Sequence, residues 1–482
     1  MKRITILSLQ ILLIFLALLS TSNAQQQSDI DKIKSMLTEG EAAYSEEEAL
    51  AYMKEIIPLI EKVCGKKFKQ APSLKLADRE VLQAVLVKEF IPQFKNLSPD
   101  ASADALKGQA EASAGMIVMC MLGKYGFSDN TLFLLPKNLN SILDMAKIDR
   151  KHMKNIVKLV IAHELTHQMQ EQEAGIYKTL LGITNQERMM AFNATIEGHA
   201  VFIQDLVGKE LELDQTVIEF SRLLSAGAVK FDDPLLDLIN NVIASQYEQI
   251  YLGGKKFIEF HFHKEGHEKL WKILGQYPAN TKMIAYPDTY STKGETKVDL
   301  ETVLDGLEKE FVAEEDIANW FMQNMELGNL MLNAVYVNFE KEDQEFIVSN
   351  VQQAQAFIMQ NATGSMANVS IYLLYDATKT QKMLNMLEAF AKKNSDDQSS
   401  ELFEIKDMEF SDFKLVAGDI ARKITFNIVA KENVSNFVVL RVVREQVFME
   451  IFVTNVDVAD EKLAAISNKV FKQLETITKK DK

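Results

Sequence analysis

The histidine pair in the segment LVIAHELTHQMQ, residues 159–170, is the feature that most constrains this chain. In a helix, positions i and i+4 lie on one face, so His163 and His167 can present two imidazoles to a single ion. Glu164 is rotated by roughly 100° from His163, where its carboxylate can reach a water on that ion without binding the ion itself. The apolar residues before the pair predict a largely buried helix, and the rigidity of such a helix suits a catalytic metal site.

A second segment supplies a candidate third ligand. Hydrolytic zinc sites usually have three protein ligands and one open position for water. Residues 185–206, NQERMMAFNATIEGHAVFIQDL, predict an amphipathic helix with Glu197 in the middle among apolar neighbours. A carboxylate there needs a partner, which a metal ion would supply; the alternative is a solvated helix face. His199 points about 200° away from Glu197 around the helix, so it is a candidate only for contact with a ligand or with substrate.

HELTH followed by EGHA resembles the gluzincin zinc peptidases, whose third ligand is a glutamate on a second helix. The resemblance implies that His163, His167 and Glu197 hold Zn²⁺. The Glu-Gly-His string is similar to the Asn-Glu-Gly-(Phe/His) string of the M1-type aminopeptidases. Ile196 stands where that group has Asn, and thirty positions separate His167 from Glu197, which is longer than is usual there.

The resemblance continues downstream, so that it covers residues 131–290. Tyr251 and Gly254 have the spacing of a Tyr-x-x-Gly segment in that family, where the tyrosine stabilises the transition-state oxyanion. The resemblance carries this role onto Tyr251; the alternative is a core tyrosine at a helix start. Residues 278–290, PANTKMIAYPDTY, are similar to the ending of a group of exported zinc peptidases of unassigned substrate. In gluzincins a strand before the metal helix, here TLFLLP at 131–136, borders the cleft and pairs with the substrate backbone.

These motifs predict a zinc-dependent peptidase in which Glu164 is the general base and peptides or proteins are the substrates. No amine-recognition segment of the Gly-x-Met-Glu-Asn type precedes HELTH, which favours an endopeptidase. Two alternatives remain open: a non-catalytic binding or assembly protein that keeps a zinc-peptidase fold, and a function defined by the C-terminal domain. The intact Glu164 favours catalysis, because a structural zinc site needs no base.

The N-terminal 24 residues have the three-part pattern of a secretory signal peptide. Lys2 and Arg3 precede an apolar stretch over residues 4–19, and small residues follow at 22–24. We therefore expect an exported protein, periplasmic or extracellular; the alternative is an uncleaved membrane anchor. No later segment approaches a continuous apolar stretch of about 18 residues, so no other membrane span is expected.

Composition and charge narrow the class of partner. The chain has 482 residues, with 47% hydrophobic and 25% charged residues, which is typical of a soluble globular protein. A formal net charge of −15 argues against binding of nucleic acid or anionic lipid. Cys64 and Cys120 either pair in an oxidising compartment or remain buried free thiols. The oligomeric state is left open.

The hydrophobic pattern predicts a mainly α, zincin-like metallopeptidase core with a small edge sheet, followed by a C-terminal α+β domain. Two short apolar runs, 116–122 and 131–135, predict the strand pair of the edge sheet. The predicted regions are a helical N-terminal region at 25–115, the core at 116–290, a helical extension at 291–360 and the α+β domain at 361–482.

A second histidine cluster lies in EFHFHKEGHEKL, residues 259–270. The spacing of His263 and His267 allows a metal site on a helix surface. The adjacent lysines and glutamates favour a solvated face for this cluster, His261 included.

Overall fold

The computed structural model describes residues 40–97, 102–119, 121–145, 148–225, 248–292, 297–361, 364–395, 404–416, 419–430 and 433–480. The expected signal peptide and Cys120 lie outside these residues. The chain divides into two compact units. Among the described residues, the N-terminal unit takes in those between 40 and 292, and the C-terminal unit takes in those between 297 and 480. Among the described helices, none combines the length and apolar character needed to cross a membrane.

The described part of the N-terminal unit is mostly helical. Its helices are α1 (Glu46–Cys64), α2 (Arg79–Leu97), α3 (Ala103–Val118), α4 (Pro136–Met145), α5 (Met153–Ala174), α6 (Ile176–Leu180), α7 (Gln186–Glu210), α8 (Gln215–Ser225), α9 (Gly254–Gly275) and α10 (Lys282–Ala285). A π-helical turn, Gln249–Gly253, leads into α9, and 3-10 turns lie at Arg150–His152 and Pro287–Thr289.

Local sequence signals explain where the helices begin and end. Ser45 and Glu48 form a capping box at the start of α1, with each side chain accepting from the other's backbone N–H. The helix ends at Gly65, whose φ of 64° favours glycine. Cys64, the last residue of α1, is buried and carries a free thiol. Helix α7 begins after Asn185, whose side chain accepts the N–H of Arg188 at 2.9 Å.

A three-stranded sheet packs beside α5. Its strands are β1 (Leu74–Leu76), β2 (Gly123–Gly126) and β3 (Thr131–Leu134), in the order β1-β3-β2, with β1 parallel and β2 antiparallel to β3. The strand predicted at 116–122 is wrong, because α3 continues to Val118 and the first strand of the hairpin starts at Gly123. Apolar residues packed against a helix follow the same short pattern as a buried strand, which explains the error.

The C-terminal unit contains a seven-stranded antiparallel sheet in the order β4-β5-β6-β10-β9-β8-β7. The helical extension predicted at 291–360 is wrong in part, because this region also contains strand β4 and nearly all of strand β5. The strands are β4 (Trp320–Glu326), β5 (Val351–Asn361), β6 (Met366–Leu374), β7 (Glu404–Asp412), β8 (Ile420–Ala430), β9 (Asn433–Arg444) and β10 (Val447–Thr454).

The described part of the C-terminal unit also contains six helices and one 3-10 turn. They are α11 (Leu300–Leu304), α12 (Glu308–Phe311), a 3-10 turn at Glu314–Asn319, α13 (Asn329–Val335), α14 (Lys341–Asn350), α15 (Ala377–Ser395) and α16 (Asp460–Lys480). Helices α11 and α16 pack on one face of the sheet, where β10 contributes Met449, Ile451 and Val453 to the core. Because side chains alternate along a strand, Glu450 lies on the other face, where it pairs with Arg441.

Candidate metal centre

Helices α5 and α7 bring together the three side chains that the sequence singles out as ligands. His163 and His167 come from α5, and their Nε2 atoms lie 3.2 Å apart. Glu197 comes from α7, and its Oε2 lies 3.1 Å from His163 Nε2 and 3.3 Å from His167 Nε2. Within the part of the chain that the structure describes, this is the only group of three or more His, Cys, Asp or Glu residues arranged closely enough to hold a metal ion.

Two glutamines fix the orientation of the imidazoles. His163 Nδ1 lies 3.1 Å from Gln204 Oε1, and His167 Nδ1 lies 2.9 Å from Gln170 Oε1. An amide oxygen only accepts, so both Nδ1 atoms carry protons, and the Nε2 atom of each ring offers a lone pair whenever that ring is neutral. The amide of Gln170 cannot be reversed, because its Nε2 also donates to the backbone carbonyl of Ile196 at 2.9 Å.

The donor set fits a divalent metal ion. Three acceptor atoms, two imidazole nitrogens and one carboxylate oxygen, face one point at separations of 3.1 to 3.3 Å. Tetrahedral zinc with bonds of about 2.0–2.1 Å places neighbouring ligand atoms about 3.3 Å apart. Lone pairs directed at one another repel, and a cation between them relieves that repulsion. The residues present therefore match a site with three protein ligands.

Electrostatic interactions keep Glu197 in the form that binds a cation but favour the protonated form of His167. Burial would raise the pKa of Glu197, but the charge of His167 and hydrogen bonds from both imidazoles lower it overall. Burial would lower the pKa of His167, but the charge of Glu197 and its hydrogen bond raise it overall. The carboxylate thus stays ionised, whereas a metal ion must compete with a proton for His167.

Glu164, the predicted base, is buried beside this group and is held by the small sheet. Its Oε2 accepts the backbone N–H of Tyr125 in β2 at 2.7 Å, and its charge raises the pKa of His167. The strand that contacts the centre is therefore the edge strand β2. The expectation that TLFLLP borders the cleft is wrong in this respect: β3, Thr131–Leu134, is the central strand and pairs on both sides.

Tyr251 lies close to the metal-binding histidines. It belongs to the π-helical turn Gln249–Gly253 that precedes α9, and its ring stacks on that of His163 with centroids 6.1 Å apart. The side chain is half-buried. Short π-helical segments within helices often occur at functional sites. The structure thus places Tyr251 beside the group, while its role in stabilising an oxyanion stays a prediction.

A glycine contact between α7 and α9 permits this arrangement. A Cβ atom on Gly198 would lie 2.1 Å from the carbonyl carbon of Gly254, and one on Gly254 would lie 1.9 Å from the carbonyl oxygen of Ala194. Any larger residue at either position would force the two helices apart. Sequence reasoning missed this contact. The signal was available, because each glycine adjoins a candidate site segment, EGHA or YLGG.

The remaining histidines lie outside the ligand group. His199 is buried and its Nδ1 lies 3.0 Å from Gln170 Nε2, so it contacts a residue that orients His167 and not the ligands themselves. Burial, followed by the charges of His167 and His267, lowers the pKa of His199 to about 3.

His261 is buried and does not lie on the solvated face that the sequence predicted for it. It is 5% exposed and packs against the rings of Phe257 and Tyr290, with centroids 4.7 and 5.2 Å away. His263 is exposed, as expected, and His267 is half-buried. Neither belongs to a metal-binding group among the residues that the structure describes.

Comparisons with known proteins identify no family. No family model matches the chain, and no curated protein matches it. A solved structure from Chloroflexus aurantiacus, described as a "putative hydrolase with a novel fold", is similar with a TM-score of 0.38 and 15% identity, over 50% of this chain and 87% of that chain. Similarity at this level carries no argument about fold or function, so the functional case depends on the site itself.

Proposed function

We propose that this protein is a zinc-dependent peptidase whose metal ion is held by His163, His167 and Glu197. The observation that carries the proposal is the convergence of three acceptor atoms on one point, with Glu164 beside them. Site residues of this type, at these separations, suit metal-assisted hydrolysis. The small sheet beside the two ligand helices supports a zincin-like core in the N-terminal unit.

In this proposal Glu164 moves the proton. Bound zinc supplies a Lewis acid that lowers the pKa of water and polarises the scissile carbonyl. The Tyr125 N–H donates to Oε2 of Glu164 and so restrains the carboxylate. Oε1 then takes the proton from the attacking water and returns it to the nitrogen of the leaving amine.

Tyr251 is proposed to act on the carbonyl side of the reaction. Its ring stacks on His163, which places the tyrosine next to one ligand and on a different helix from the base. From this position its hydroxyl can donate to the oxyanion that develops as the carbonyl is attacked. Endopeptidase action and export from the cytoplasm complete the proposal, and both are supported by sequence patterns alone.

Metal analysis and a Glu164→Gln variant test the proposal together. We expect stoichiometric zinc in both proteins, because Glu164 is not a ligand. Cleavage in a peptide library should fall about 10²–10⁴-fold in the variant, the range typical for loss of a general base. Unchanged cleavage would reject Glu164 as the base. Zinc without cleavage of any peptide by the wild type would favour a non-catalytic binding or assembly protein.

A further inference from the structure

Gln170 occupies an unusual position between the two ligand helices. It is one turn beyond His167 on α5, is fully buried, and reaches across to α7. Its Oε1 accepts from His167 Nδ1 at 2.9 Å, while its Nε2 donates to the carbonyl oxygen of Ile196 at 2.9 Å and to His199 Nδ1 at 3.0 Å. Ile196 directly precedes Glu197, so this one amide links the two helices, α5 and α7, that carry the ligands.

The three hydrogen bonds determine each other's direction. The Ile196 carbonyl only accepts, which assigns Nε2 to the α7 side and Oε1 to His167. Because Nε2 donates, His199 Nδ1 must be the acceptor, and the proton of His199 sits on Nε2. A reversed amide would place an NH₂ group against the protonated Nδ1 of His167 and an oxygen against the Ile196 carbonyl. Both contacts would be repulsive.

We propose that Gln170 and His199 are positioning residues for the metal centre: Gln170 holds the tautomer and orientation of His167 and sets the register of Glu197, and His199 holds the amide of Gln170. This inference depends on the metal centre in the proposed function and not on peptidase activity. Neither residue belongs to the group of three converging ligands.

The chemistry also explains why an amide fits this position. Histidine ligands commonly donate their second N–H to a carboxylate or a carbonyl, which orients the ring. A carboxylate at position 170 could accept from His167 but could not donate to Ile196 or His199. The position needs one acceptor and one two-fold donor in the same side chain, and glutamine supplies both.

Metal affinity of the full chain, measured by competition with a chromophoric chelator, tests the role of Gln170. We expect Gln170→Ala and Gln170→Glu to bind Zn²⁺ about 10–100-fold more weakly than the wild type, as is typical for residues that orient ligands. Gln168→Ala is the matched control, since Gln168 is an equally buried glutamine on α5 that contacts Asn130 instead. The control should bind within about twofold of the wild type.

A second pair of variants tests His199. This pair also keeps the inference testable if the Gln170 variants do not fold. His199→Leu removes the acceptor, and His199→Asn keeps an acceptor oxygen near the position of Nδ1. We expect weaker Zn²⁺ binding and an altered Co²⁺ absorption spectrum for His199→Leu, with recovery of both in His199→Asn. Thermal unfolding of the metal-free proteins separates a loss of affinity from a loss of fold.

The outcomes distinguish the inference from the proposed function. Equal Zn²⁺ affinity in the wild type, Gln170→Ala and His199→Leu would overturn the positioning role while leaving the metal centre in place. Equal weakening in Gln168→Ala and Gln170→Ala would also overturn it, since general packing would then explain both. A wild type that binds neither Zn²⁺ nor Co²⁺ would overturn the metal centre and the inference with it. Metal binding without peptide cleavage would leave the inference intact.

Discussion

Each of the two units holds a cluster of buried or half-buried ionisable side chains, and the clusters differ in what they face. In the C-terminal unit, Arg441 on β9 and Glu450 on β10 are direct partners in the sheet register, with Nε and Oε2 2.7 Å apart. In the N-terminal unit, His163, His167 and Glu197 direct three acceptor atoms at one another. The first cluster has a permanent counter-charge in Arg441, whereas the counter-charge of the second is the proton on His167, which a metal ion can replace.

This difference separates a structural cluster from a functional one. A buried charge is costly unless it is paired and hydrogen-bonded, so the fold itself demands the Arg441–Glu450 contact. In the metal-free protein the carboxylate of Glu197 is paired with the imidazoles of His163 and His167, and a metal ion must take the place of the proton that His167 holds. Binding of a metal ion to such a group stabilises the fold further, because the ion binds the folded arrangement and not the unfolded chain. Substitutions of His163, His167 or Glu197 should therefore lower metal affinity, whereas substitutions of Arg441 or Glu450 should change stability and leave metal affinity as it is.

Glu197→Gln should produce the largest effect. It replaces a ligand, so we expect Zn²⁺ affinity to fall on the order of 100-fold or more, beyond the usual cost of losing a residue that merely orients a ligand. The control is Glu187→Gln on the same helix. Glu187 is a buried carboxylate that accepts the N–H and the hydroxyl of Thr281, both at 2.7 Å. Chelator competition measures both variants, and equal losses would remove Glu197 from the ligand set.

Glu450→Leu should act on stability instead. It leaves the charge of Arg441 buried without its partner, which typically costs about 3–5 kcal/mol. The double variant Arg441→Met with Glu450→Leu removes both charges and should recover most of that loss. Chemical unfolding measures the free energy, and Zn²⁺ affinity should stay at the wild-type value. A fall in affinity for the single variant would contradict the separation between the two clusters.

The ligand group was predictable from sequence because each part of it has a local signal. The spacing of His163 and His167 on a helix, and the carboxylate of Glu197 within an apolar run, both follow from the 3.6-residue period. The sequence could not predict that Gln170 and Gln204 would orient the imidazoles. That contact depends on how α5 and α7 cross, and many buried glutamines would satisfy the same local pattern.

The small sheet shows where sequence patterns reach their limit. Short apolar runs predicted strands at 116–122 and 131–135, yet only the second run forms a strand, β3. The pattern also gave no indication of strand order, which makes β2 the edge strand and supplies the Tyr125 N–H to Glu164. Pairing partners are set by contacts distant in sequence, and local periodicity does not record them.

Gly198→Ala should have an intermediate effect that tests the crossing of α7 and α9. The added Cβ would meet the backbone of Gly254 at 2.1 Å, so the helices must separate, and overpacking of this kind typically costs about 1–3 kcal/mol. Gly108→Ala on α3 is the control, because nothing lies within 4 Å of a Cβ there. That change should be neutral or stabilising. Thermal unfolding measures both, and equal stability of the two variants would show that the crossing is not tight.

The smallest effect concerns pH. The pKa of His167 is raised by Glu197 and Glu164 despite burial, so in the metal-free protein this imidazole holds its proton above the ordinary histidine range near pH 6.5. Metal must displace that proton, and Zn²⁺ affinity should rise about tenfold per pH unit until the raised pKa is passed. Over the same interval the stability of the metal-free protein should fall, because a raised pKa stabilises the fold below the unfolded pKa and loses that contribution as the proton leaves. All seven histidines precede residue 268, so no histidine of the described C-terminal unit contributes to this pH dependence. Zn²⁺ affinity that stays constant between pH 6 and 8 would contradict the coupling of His167 to Glu197.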